Sequence, residues 1–166
     1  MQTRDNIILI GMPGVGKSTI GVLLAKRLKL AFVDTDIYIQ TRENKSLQEL
    51  IQLHGTEGFC DLEGSYIQSL GVTDAVIATG GSVVYIQSAM AHLQAGGKIV
   101  HLDLELSLLQ KRLDDIDARG VVIGPEQKLG DLHAERQPLY VKYADITIAT
   151  DGLSPDQVVG KIIELL

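Results

Sequence analysis

One stretch constrains this chain more than any other: GMPGVGKS at residues 11–18, which fits the pattern G-x-x-x-x-G-K-[ST]. The pattern carries meaning only in context, and the context is present. It follows the apolar run Asn6–Ile10 (NIILI) and precedes a segment in which Ile20, Leu23, Leu24 and Leu28 recur at helical spacing. A strand, a glycine loop and a helix in that order make a phosphate cradle. Gly11, Gly14 and Gly16 let the backbone curl so that successive N–H groups turn inward, and the helix start adds its unsatisfied donors. Lys17 is expected to reach the β- and γ-phosphates of a nucleotide, and Ser18 offers an oxygen to Mg²⁺. Val15 and Thr19 complete the expected nucleotide-binding set. A glycine turn that binds nothing would need none of the lysine, the serine and the flanking elements.

The rest of the chain repeats the alternation. Ala31–Val33, Ala75–Ala78, Lys98–Leu102 and Ile146–Ala149 are short apolar runs separated by longer helix-like segments. Near-uniform apolar strands alternating with helices imply an α/β fold, a parallel sheet covered on both faces in three layers. Two helix starts are marked: Ser46 with Glu49, and Ser154-Pro155-Asp156-Gln157. With 166 residues, no repeat and no linker, the chain reads as a single domain over 1–166. Residues 114–132 break the periodicity with Gly120, Gly124, Pro125 and Gly130, and read as a mobile lid.

Composition removes several classes of function. A net charge of −6 argues against nucleic acid as the main partner. No apolar run approaches a membrane span, and the run before Gly11 is too short for a signal peptide. The single cysteine excludes an internal disulfide and fits a reducing compartment. The expectation is a cytoplasmic monomer that binds a small molecule.

Three further features point to an acceptor site. FVDTD places Asp34 and Asp36 two residues apart at a strand end, where one carboxylate can hold metal and the other an acceptor hydroxyl. Helix capping is the alternative for this pair. ATGGSVV ends the third strand with Gly80 and Gly81, which suits either close approach to a ligand or a tight turn. Arg112, Arg119 and Arg136 follow, each of which taken alone reads as a surface arginine.

Together, GMPGVGKSTIG, VDTD, G-x-x-x-F, ATGG and RQPLY at 136–140 resemble the shikimate kinase family in order and spacing over essentially the whole chain. The resemblance implies a P-loop kinase fold with a central five-stranded parallel sheet, and use of ATP and Mg²⁺. It assigns Asp34 and Ser18 to the metal, and Lys17, Asp36 and Arg119 to catalysis. Asp36, Gly80, Gly81 and Arg136 would bind the acceptor, while Arg112 and Pro155 would bracket the adenine.

The chain also departs from the family. Where members usually read G-E-x-x-F-R, this chain has Gly55-Thr56-Glu57-Gly58-Phe59-Cys60, so a cysteine stands at the position of a substrate-binding arginine. Ser82 replaces a third glycine, and Arg119 is followed by Gly120 rather than proline. All these changes fall on the acceptor side or the lid. Acid neighbours Asp61 and Glu63 discourage a reactive thiol, so Cys60 reads as a small filler. The leading expectation is phosphorylation of a shikimate hydroxyl. The alternatives are a kinase for another small polyol or hydroxy acid, and a non-catalytic nucleotide-binding relative.

Overall fold

The structure, a computed structural model, describes residues 5–114 and 128–166. Strands β1 (Asn6–Ile10), β2 (Ala31–Asp34), β3 (Ala75–Ala78), β4 (Gly97–Asp103) and β5 (Ile146–Ala149) form one sheet in the order β2-β3-β1-β4-β5. All four neighbouring pairs are parallel, with Ile8 opposite Ile77 on one side and Ile99 on the other. Every residue of β1 is buried, as a central parallel strand requires.

Seven α-helices lie among the described residues: α1 (Lys17–Leu28), α2 (Thr35–Glu43), α3 (Leu47–Gln68), α4 (Gln87–Gly96), α5 (Leu106–Asp114), α6 (Leu129–Tyr143) and α7 (Pro155–Leu165). Right-handed crossovers dictate their placement. The connection from β1 to β2 runs leftward across the sheet, whereas those from β2 to β3, β3 to β4 and β4 to β5 run rightward. Hence α1 covers one face, where α7 joins it, and α3 and α4 pack together on the other. The main core fills both faces, built from β1, β3 and β4 with residues such as Leu24, Met90 and Ile162. A smaller core of Ile39, Leu47, Leu50 and Phe59 ties α2 to α3.

Both expected helix starts carry a reciprocal capping box, from Ser46 to Glu49 and from Ser154 to Gln157. Two expectations need correction. Strand β2 ends at Asp34, so Asp36 belongs to α2 and does not share a strand end with it. The reason is the capping reading: Asp34 Oδ1 accepts the N–H groups of Asp36 (3.0 Å) and Ile37 (3.2 Å), which starts a helix. The span read as a lid is also too long at both ends, since α5 reaches Asp114 and α6 begins at Leu129, where the Lys128 N–H donates to Asp131. Its remainder, including Arg119, lies outside the described residues.

Candidate active site

The carboxyl ends of parallel strands leave a crevice where the strand order reverses, here beside β1. A cavity of about 360 Å³ opens at that place. The phosphate loop forms one wall with Pro13, Gly14, Gly16, Lys17, Ser18 and Thr19. Gly16 caps α1 at φ 107°, a left-handed conformation that an L side chain resists, and so aims the helix start into the cavity. Lys17 is buried, and its Nζ donates to the Gly11 and Met12 carbonyls at 2.7 and 2.9 Å. Burial pulls its pKa down to about 8, against the pull of Asp36 and with help from Arg136.

Beside it, Ser18 Oγ donates to Asp34 Oδ2 at 2.6 Å. These are hard oxygen donors on adjacent elements, the set a magnesium ion prefers. Asp34 therefore caps α2 with one oxygen and meets Ser18 with the other. Val15 is buried under the loop, and its carbonyl and that of Gly14 accept from Arg112 at 3.1 and 3.2 Å. Arg112 lines this cavity and also a neighbouring hollow bordered by Leu104, Gly152 and Leu153. Pro155 lines neither; it opens α7.

The opposite wall carries Asp36, Phe59, Glu63, Gly80, Gly81, Ser82 and Arg136. Burial, then the neighbouring Asp34 charge, pushes the Asp36 pKa up to about 6, with Lys17 opposing. Arg136 is 1% exposed despite its charge. Its Nε donates to Tyr85 Oη at 3.2 Å, and its guanidinium lies over the Tyr85 ring. The two glycines are there for lack of room. A Cβ on Gly80 would collide with Glu63 Oε1, and one on Gly81 would come within 2.8 Å of Arg136. Their backbone is engaged within the protein: the Gly80 N–H donates to Thr35 Oγ1 (3.2 Å), and the Gly81 carbonyl accepts from Tyr140 (2.8 Å).

A nucleotide cradle thus faces a pocket that holds a carboxylate and a buried guanidinium. The family model for shikimate kinase matches residues 13–166. The chain belongs to the shikimate kinase family. It is 39% identical over 164 residues to a shikimate kinase of Pseudomonas paraeruginosa, covering 97% of this chain and 95% of that one. The fold matches a shikimate kinase of Acinetobacter baumannii in complex with shikimate, with a TM-score of 0.88, 30% identity and coverage of 99% and 93%. A shikimate kinase of Bacteroides thetaiotaomicron matches with a TM-score of 0.83 at 28% identity, covering 97% of each chain.

Within this shikimate kinase fold, sequence reasoning overlooked Glu63 as a site residue. It is fully buried and lines the cavity. The available signal was spacing: Phe59, Glu63 and Ile67 recur every four residues on one buried helical stripe, and an acid in such a stripe demands a reason. Cys60 is half-buried and borders a separate open groove with Glu57, Asp61, Tyr85 and Glu135.

Proposed function

We propose that this chain is an ATP-dependent shikimate kinase in which the two walls of the cavity hold the two reactants. The observation that carries this is the presence of Lys17, Asp36 and Arg136 in one cavity. The phosphate loop and the start of α1 hold the nucleotide phosphates. Arg136 meets the acceptor carboxylate, and Asp36 orients the reacting hydroxyl. The hydroxyl oxygen bonds to the γ-phosphorus, the bond from that phosphorus to the departing ADP oxygen breaks, and the hydroxyl proton passes to Asp36. Placement and charge do most of the work, so Lys17 contributes by sitting where negative charge moves. Ser18 and Asp34 would hold a magnesium ion, which when bound supplies charge neutralisation on the phosphates. Arg119 is assigned by family resemblance to the same task. A single cysteine fits a cytoplasmic setting.

A second reading keeps the reaction and changes the acceptor, and Cys60 favours it. Coupled ADP release with ATP, Mg²⁺ and shikimate, with the product weighed by mass spectrometry, separates the two. Lys17→Ala should lower turnover by ~10²-fold or more while leaving the far-ultraviolet circular dichroism unchanged. Turnover on another polyol acid, with none on shikimate, would select the second reading. Wild-type turnover in Lys17→Ala would remove Lys17 from the mechanism.

A further inference from the structure

The acceptor wall contains a carboxyl that phosphoryl transfer does not use. Glu63 on α3 is 0% exposed, and its Oε2 accepts a hydrogen bond from Ser82 Oγ at 2.6 Å. Its Oε1 has no hydrogen-bond partner among the described residues. Glu63 lines the cavity, and its Oε1 lies near Asp36: a Cβ on Gly80 would collide with Glu63 Oε1 and come within 3.1 Å of Asp36 Oδ1. A buried oxygen left half-satisfied is costly unless a ligand or a proton completes it.

The charged and titratable groups around it come from several elements. Lys17 faces it from α1, Asp36 from α2, Arg136 and Tyr140 from α6, and Cys60 from its own helix. Burial dominates and pushes Glu63 up to about 7. The Ser82 hydrogen bond opposes that rise, Asp36 adds to it, and the two cations resist it. Near neutral pH this carboxyl gains or loses its proton readily.

We propose that Glu63, fixed by Ser82, is a specificity-determining residue that takes up one proton from solvent when an anionic acceptor binds against Arg136. The inference rests on the acceptor site of the proposed function. Ionised, Glu63 places a negative charge in the field of Arg136 and opposes a second anion. Neutral, it removes that opposition and presents Oε1–H as a donor to an acceptor oxygen. Ser82 does not titrate. It occupies Oε2 as a donor and so leaves Oε1 as the position that carries the proton. The ligand class is a small polyol bearing a carboxylate, bound together with its neutralising proton.

Calorimetric titration of the nucleotide-free protein with shikimate, in buffers of different ionisation enthalpy, reads affinity and proton uptake together. Uptake should approach one proton above about pH 7, and Kd should weaken up to ~10-fold per pH unit there. Glu63→Gln should bind without uptake and with flat pH dependence. Ser82→Ala removes the bond that favours the ionised form, so its weakening should begin at higher pH than in wild type. The uncharged methyl ester of shikimate, which loses the charge opposition but keeps acceptor oxygens, should bind with a clearly shallower pH dependence than the acid. Flat wild-type affinity, uptake that persists in Glu63→Gln, or an ester that follows the acid's curve would each overturn the inference. The wild-type measurement stands even if a variant fails to fold. Shikimate that binds with proton uptake but is never phosphorylated would defeat the proposed reaction alone. Efficient phosphorylation with pH-flat binding would defeat the inference alone.

Discussion

Cys60 lies in the fields of Glu63 and Arg136, which push its thiol in opposite directions. Burial and then Glu63 raise its pKa, and Arg136 only partly resists, so the sulfur stays protonated and unreactive at neutral pH. That agrees with a filler role. An arginine at this position would bring a cation to Glu63 and a second donor fork toward an acceptor carboxylate. With shikimate as acceptor, Cys60→Arg should lower its KM by ~10–100-fold, the worth of one hydrogen bond to a charged group, and leave the KM for ATP unchanged. It should also flatten the pH dependence of binding, because Glu63 would then stay ionised beside its new partner. Steady-state kinetics across pH in both proteins checks this. An acceptor of another kind would meet an unpaired charge, and activity on it would fall.

At the scale of elements, helices announced themselves by their ends more than by their faces. Ser154 accepts the Gln157 N–H at 3.3 Å while Gln157 accepts the Ser154 N–H at 2.8 Å, as the four-residue pattern implied. Ser154→Ala should cost about 1 kcal/mol of stability, seen as a lower urea midpoint with unchanged slope. By contrast, the length of α3 beyond its marked start was hidden. Gly55 interrupts it at φ 69°, and Gly58 and Gly64 blank out positions where a hydrophobic rhythm would show. Gly64 is small for a packing reason, since a Cβ there would lie 2.9 Å from Ile86. That constraint belongs to a neighbour more than twenty residues away and leaves no local trace. The phosphate loop was legible because its chemistry is written in consecutive residues. The Ser82–Glu63 pair was not, because its members meet only after α3 and β3 fold together.

For the molecule as a whole, the sheet hides one titratable group that should set its tolerance to acid. His101 on β4 is buried and stacks on Tyr140 with ring centroids 5.0 Å apart, and neither ring nitrogen has a hydrogen-bond partner among the described residues. Burial depresses its pKa to about 4, with Asp103 opposing and Lys17 and His133 assisting. The folded protein thus binds this proton less readily than the unfolded chain, whose histidine titrates near 6.5. Its contribution is complete above pH 6.5 and is lost as pH falls toward about 4, on the order of 3 kcal/mol in all. His101→Phe keeps the stack and removes the proton, so its stability should fall less steeply through that window in urea unfolding series at graded pH. Equal slopes would show that other groups govern acid unfolding.

The order of the cavity's lining along the chain has a different consequence. One wall is drawn from residues 13–19 and the other from residues 36–82, with Arg112 and Arg136 added from afar. In the proposed function the grip on each reactant is thus a separate passage of text. They meet through the β1–β3 pairing, Thr79 to the Leu9 carbonyl and Ser18 to Asp34, while α6 reaches the second through Tyr140 to the Gly81 carbonyl and Arg136 to Tyr85. A protein arranged in this way can have its second passage rewritten, or exchanged as a cassette with that of a relative, while the first continues to read as before. Cys60 and Ser82, where the family resemblance leads one to expect an arginine and a glycine, both fall inside the second passage.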